Sequence, residues 1–336
     1  MLYRILCLMI ALVALASSAC ADDAQPTTPP PPRNISAGNW NGNRAMNDIA
    51  NQLTFGRRGL DTIGHEKTVV YIESQLAKTK ASSVNGQQWI DTGETGNGSS
   101  WLGWDAKKTH GPNHAMVNIV ARFFPDNPRR IIIGTHYDSI VRAYADKNHP
   151  EAPMPGANNS ASGVALLLET ARALSAMKEP PPVGVDIIFF DGEEGPLSLG
   201  AGDRNWRALG SPFFAQHLSD IYPDEKPESA VLFDMVCYKN LKLRPEPSSV
   251  EAAKDKVEKF WNIGASISPS IFKAEPYPYK IEDDHDALMS VGIPSFLVIG
   301  FEYDPWFNTT QDTIDKCSKT NIEAVGRTLL KYIYAQ

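Results

Sequence analysis

The chain has 336 residues, of which 42% are apolar and 21% charged. That balance predicts a globular protein with a sizeable core. Thirty-nine acidic against 32 basic side chains leave a net charge of −7, which offers no basic field for a phosphate backbone and excludes nucleic acid as a partner.

Residues 1–21, "MLYRILCLMIALVALASSACA", combine one early arginine, a long apolar run and small residues at 19 and 21. This is the pattern of a cleaved secretory signal peptide, so we expect an exported protein, periplasmic or secreted. Cleavage before Cys20, with lipid on that cysteine, is the alternative and the one route by which specific membrane contact is expected. Residues 22–40 read as a proline-rich disordered tether with nothing to bury. Residues 41–336 read as a single domain. Four cysteines occur, and Cys237 and Cys317 outlast signal removal. One disulfide and two buried thiols are both open readings. No CxxC pair is present, so a thiolate zinc knuckle is excluded.

Periodicity predicts helices over 43–54 and 65–80, the second with Val69, Ile72 and Leu76 at helical spacing. The polar, glycine-rich stretch beginning "VNGQQWIDTG" reads as loop or edge strand. "MVNIVARFF" alternates, a "DNP" turn follows, and "RRIIIGTHYDS" enters a central strand. "SASGVALLLETARALSAM" reads as a helix that Ser160 or Ser162 can cap. The strand "VGVDIIFFDGEE", the helix "SPFFAQHLSDIY" and the strand "ESAVLFDMVCY" come next. The amphipathic helix "SSVEAAKDKVEKFWNIGA", the strand "GIPSFLVIGFEY" and a closing helix, "KTNIEAVGRTLLKYIYAQ", complete the chain. The runs IIIG, VDIIFF, AVLF and SFLVIG do not alternate, as fully buried strands do not. The order predicts a three-layer α/β/α fold with a mixed, mostly parallel sheet. No heptad or unpartnered apolar helix face calls for a second copy, so a monomer is expected.

Ligands of such sheets gather beyond the carboxyl ends of the strands. Several segments deliver polar side chains there: His136 and Asp138 in "THYDS", Glu193 and Glu194 in "DGEE", Asp234 in "FDMV", and Asn158 and Asn159 before the long helix. Carboxylates and imidazole drawn from separate elements suit a divalent metal, and a neighbouring carboxylate can move a proton.

"THYDS", "PGANNSASGVALLLETARAL", "IIFFDGEE", "LFDM" and "WFNTTQDTID" resemble the zinc-dependent aminopeptidase family M28. "FFDGEEGPL", "LGSPFFAQHL" and "IEDDHDALMSVGIPSFLVI" resemble more narrowly its glutaminyl-peptide cyclotransferase branch. The likeness runs from about residue 45 to the C-terminus. It implies an aminopeptidase/glutaminyl-cyclase-like fold and a single zinc held at positions 159, 194 and 308. It also implies Glu193 as general acid/base, Asp234 as an acid near the substrate amine, and Asp284 as part of a hydrogen-bonded relay. Trp306 and His136 would wall the substrate pocket. In two-metal relatives His136 and Asp234 bind a second metal, so they are the alternative metal position. Two ligands depart from the pattern: Asn159 stands for an aspartate and Asn308 for a histidine. Neutral amides hold zinc less well, so the zinc is expected to be weakly bound or absent.

His285 reads as a pocket-side or structural histidine, His65, His110 and His217 as surface or cap residues, and "GRRG" at 56–59 as a solvated turn. Asn34, Asn97, Asn158 and Asn308 match the glycosylation pattern. Three functions stay open on this reading: cyclisation of amino-terminal glutamine on peptides with release of ammonia, M28-type aminopeptidase hydrolysis, and non-catalytic binding of peptide amino termini. The absence of a G-x-S-x-G elbow and of a G-x-G-x-x-G turn after a strand disfavours a serine hydrolase and a dinucleotide enzyme.

Overall fold

Why one edge of this protein collects so many polar groups follows from how its strands run. The structure, a computed structural model, describes residues 39–91, 114–195 and 206–336. The expected signal peptide and nearly all of the expected tether lie outside the described residues, as do Asn34, Asn97 and His110. The elements are α1 (Gly42–Leu53), α2 (Ile63–Leu76), β1 (Ser83–Asp91), β2 (His114–Phe123), β3 (Arg130–His136), α3 (Ala161–Ala176) and β4 (Gly184–Phe190). They continue with α4 (Gly210–Gln216), α5 (Leu218–Ile221), β5 (Ser229–Asp234), α6 (Pro247–Ile267), α7 (Asp284–Ser290), β6 (Ser295–Ile299) and α8 (Lys319–Tyr334).

The six strands form one sheet in the order β1-β2-β4-β3-β5-β6. β4, β3, β5 and β6 pair in parallel, whereas β1–β2 and β2–β4 are antiparallel. This is the mixed, mostly parallel sheet expected. The polar stretch after residue 82 forms the edge strand β1, and α2 ends at Leu76, where Thr79 Oγ1 donates to the Leu76 carbonyl.

The buried runs serve both faces at once, because successive strand residues point to opposite sides. Ile131, Ile133, Val185, Ile187, Val231 and Phe233 join a core with Leu76 of α2, Val164 of α3, Phe260 of α6 and Val325 of α8. Ile132, Ile188, Leu232 and Leu297 join a second core with Phe214 of α4, Leu218 of α5 and Leu288 of α7. Helices therefore cover both faces of the sheet. α3 lies hard against β3: a Cβ on Gly163 would fall 2.0 Å from Thr135 Oγ1 and 3.1 Å from the Phe233 carbonyl.

Neither Ser160 nor Ser162 caps α3 with its side chain, contrary to expectation. Ser160 Oγ donates to the Asp138 carbonyl and Ser162 Oγ to the Asn158 carbonyl. Both hydroxyls are used to hold the loop ahead of the helix.

Cys237 and Cys317 form a disulfide across 80 residues of sequence. It joins the segment after β5 to the start of α8, beside a bridge between Tyr238 and Cys317 and a bond from Ser318 N to the Cys237 carbonyl. Closing so long a loop restricts the unfolded chain, typically by about 2–5 kcal/mol. Cys317→Ser should therefore lower the unfolding free energy measured in urea by that amount, and adding reductant to the native protein should reproduce the loss. Overlapping unfolding curves for the oxidised, reduced and substituted forms would show that the crosslink contributes nothing.

Candidate active site

The parallel run of β4, β3, β5 and β6 brings four carboxyl ends to one edge. His136 and Asp234 are the last residues of β3 and β5. His136 is buried, with Nδ1 3.4 Å from Asp138 Oδ1 and Nε2 3.2 Å from Asp234 Oδ1. Its Nδ1 also lies 3.8 Å from Glu193 Oε2. Burial works to lower the basicity of this imidazole, but Glu193, Asp138 and Asp234 outweigh it and hold the ring well above the usual histidine range.

Asp138 arranges the turn after β4. Its two carboxylate oxygens accept the backbone N–H groups of Glu193 at 3.0 Å and Glu194 at 3.1 Å. The turn itself needs Gly192, whose φ of +65° suits glycine. Asp312 does the equivalent for the loop before α3, accepting from Asn158 N at 2.9 Å, Asn159 N at 3.0 Å and Tyr303 Oη at 2.6 Å.

The three positions assigned to zinc do converge. Asn159 Nδ2 donates to Glu194 Oε1 at 2.5 Å and to Asn308 Oδ1 at 3.3 Å, and Asn308 Nδ2 donates to Tyr144 Oη at 3.1 Å. All three residues are buried, and Asn158 and Asn308 are thus enclosed rather than presented as glycosylation sites. Burial pushes the Glu194 carboxyl up to about 8, with His136 and the Asn159 bond opposing.

Glu193 is pushed well above the usual carboxylate range, first by burial and then by Glu194, Asp283 and Asp284, with His136 pulling the other way. Asp284 accepts a short hydrogen bond from Ser211 Oγ, while its Oδ2 has no partner among the described residues. Trp306 is partly buried, its ring under Lys316 Nζ at 4.6 Å.

Several residues behind this edge were read otherwise from sequence. Arg58 of the "GRRG" stretch is no solvated turn residue. It is buried and donates to the Pro155 and Gly156 carbonyls, fixing the loop that leads to Asn159. His65 is not on the surface but pairs with buried Asp191 at 2.7 Å, under Tyr137. His285 is structural: its Nε2 lies 3.3 Å from Glu246, the residue that caps α6 through Ser248 N and Ser249 N. Asp312, Tyr303, Tyr144 and Ser211 went unnoticed as site residues. Only Asp312 left a sequence signal, an acid in the loop after a buried strand.

The sequence profile of Peptidase family M28 matches residues 118–333.

The chain belongs to peptidase family M28.

The likeness of this M28 chain reaches the glutaminyl cyclase branch, as its FFDGEE and EDDH stretches imply. Glutaminyl cyclase from Tannerella forsythia superposes with a TM-score of 0.76 at 29% identity, covering 88% of this chain and 99% of that one. A Zn-dependent exopeptidase from Parabacteroides distasonis gives the same TM-score at 28% identity and the same coverage. The glutaminyl-peptide cyclotransferase of Drosophila melanogaster is 23% identical over 270 residues, 70% of this chain and 72% of that one. The chain spans between 40% and 72% of the length of the curated relatives it matches.

Family membership raises zinc, and the donor chemistry here does not fit it. Of the three positions, two are amides, and the amide of Asn159 turns its hydrogens, not its oxygen, toward Glu194 and Asn308. An N–H group cannot ligate a cation. The alternative pair, His136 and Asp234, is hydrogen-bonded internally. Among the described residues no group of three or more His, Cys, Asp or Glu side chains is arranged to hold a metal ion.

Crowding of acids at this edge has a cost in stability. Burial, with Asp138 and Asp234 adding to it, raises the Asp284 carboxyl from the ordinary 3.8 to about 6, against His136 and Ser211. The folded state thus favours the acid form, so its contribution is present below pH 3.8 and is lost as the pH rises through about 6. Asp284→Asn should be more stable than the parent above pH 6, by at most about 3 kcal/mol, and no different below pH 3.8. Urea unfolding at the two pH values measures this, and an equal difference at both would contradict it.

Proposed function

We propose that this chain cyclises the amino-terminal glutamine of peptides to pyroglutamate and releases ammonia. The observation that carries the reading is the placement of Glu193: partly buried, anchored by its own N–H to Asp138, and set between His136 and the Asp283–Asp284 acids. A carboxyl held in that surrounding takes up a proton more readily than an exposed one, which favours it as a proton shuttle.

In this reading the substrate's α-nitrogen attacks its own γ-carbonyl carbon. The N–C bond forms, Glu193 takes a proton from that nitrogen and returns it to the γ-amide nitrogen, and the C–N bond to the departing ammonia breaks. Asp234, at the strand end beside His136, faces the substrate's neutral α-amine before attack. Asp284 and Ser211 support the acids behind Glu193, and Trp306 borders the substrate. The nucleophile belongs to the substrate itself, so orientation and proton transfer supply much of what the reaction needs. Aminopeptidase hydrolysis needs an activated external water, and the amide-rich donor set gives no support for a metal to activate it.

Binding of peptide amino termini without turnover is a second reading, favoured by the amides at Asn159 and Asn308. The first reading takes the chain as a monomer, since no heptad or unpartnered apolar helix face in the sequence calls for a second copy. It also takes the chain as exported, which the early apolar segment and the Cys237–Cys317 bond support.

Glu193→Gln should cut ammonia release from a glutaminyl peptide by about 10²- to 10⁴-fold while leaving the thermal midpoint close to that of the parent. Release of a free residue from a leucyl peptide, with no ammonia from the glutaminyl one, would establish the aminopeptidase instead. Peptide binding without either product would establish the binding protein.

A further inference from the structure

We infer that the carboxamide of Asn159 takes the place of a cation in this site, bridging Glu194 and Asn308 through its two hydrogens, so that the three positions form a closed network complete without a metal ion. The inference stands whichever reaction the site performs.

The orientation of the amides decides it. Asn159 Nδ2 carries two hydrogens and has two acceptors, Glu194 Oε1 at 2.5 Å and Asn308 Oδ1 at 3.3 Å. The Asn308 amide donates through its own Nδ2 to Tyr144 Oη at 3.1 Å, with its oxygen facing Asn159. Asn159 is fixed from behind, its backbone N–H held by Asp312 at 3.0 Å. Asn308 sits at a φ of +49°, where asparagine is among the better tolerated residues.

A half-turn of the Asn159 amide would set its oxygen against both the Glu194 carboxylate and the Asn308 oxygen. With Glu194 ionised, three acceptors would then converge with no hydrogen between them, and a cation would be needed to reconcile them. Such an oxygen cage suits calcium or magnesium better than zinc. The observed orientation leaves Asn159 Oδ1 buried and without a hydrogen-bond partner among the described residues. One lone acceptor is a smaller penalty than three in mutual contact, one of them a carboxylate oxygen.

The test uses the full mature chain after dialysis against chelator. Thermal midpoint and bound metal are measured with zinc, calcium and magnesium each added alone. The expected result is an unchanged midpoint and no stoichiometric uptake of any of the three. Stoichiometric zinc with a raised midpoint would overturn the inference, and so would stoichiometric calcium or magnesium, which would reveal the turned amide. Asn159→Asp replaces the bridging hydrogens by acceptors, so its midpoint should fall by several degrees in chelator and recover with zinc. An unchanged, zinc-insensitive midpoint for that variant would show that the amide bridges nothing. Should the variant fail to fold, the parent titration decides the matter alone. Ammonia release from the same chelator-treated parent keeps the two ideas separate: its absence without metal uptake counts against cyclisation only, whereas metal uptake counts against the network.

Discussion

The site depends first on a buried carboxylate receiving backbone hydrogens. Asp138 lies just past β3 and is almost wholly enclosed, yet its two oxygens are spent on the N–H groups of Glu193 and Glu194 in the turn after β4. Charge-assisted bonds of this kind are among the stronger ones in proteins. They convert the adjacency of two parallel strands into a defined position for two glutamates. The Asp138 carbonyl also accepts from Ser160, so a single residue ties β3, the β4 turn and the amino end of α3 together.

Asp312 repeats the device on the opposite side. It holds the Asn158–Asn159 backbone, is braced by Tyr303, and sits five residues before the disulfide that clamps its loop to the end of β5. Arg58 braces the same loop from the α1–α2 connection. The loops at the sheet edge are thus each fixed from beneath by a polar group that itself performs no chemistry. Positioning of this kind decides whether a scaffold keeps its geometry when its outward residues change.

The same edge gathers more acid than it can comfortably ionise. Glu193, Glu194, Asp283 and Asp284 are all raised by burial, with one another and His136 modifying the effect. Folding alone would not retain such a cluster, because buried carboxylates cost stability. Elsewhere the protein treats buried charge conventionally: Glu246 serves His285 and two serines, and Asp186 lies between Arg122 and Arg130. The contrast separates acids paired with bases and backbone donors from acids crowded against one another at the sheet edge.

Much of this was legible in the chain. Unbroken apolar runs announced strands buried on both faces, and the positions where those runs stop located His136, Glu193, Glu194 and Asp234 at one edge, because parallel strands must end together. The resemblance carried by THYDS, IIFFDGEE and LFDM pointed to the family and that of FFDGEEGPL and IEDDH to its glutaminyl cyclase branch, and the two asparagines stood out as departures. Other features were beyond local pattern. Arg58 read as solvated because two adjacent arginines usually are; only the fold sets carbonyls 97 and 98 residues away against its guanidinium. His65 found Asp191 across 126 residues, and Cys237 found Cys317 across 80. Above all, the sequence named Asn159 and Asn308 but could not say whether the oxygen or the hydrogens of Asn159 face Glu194 and Asn308. An amide is symmetric in shape and opposite in polarity at its two ends, so that choice rests on the partners that tertiary packing brings within reach.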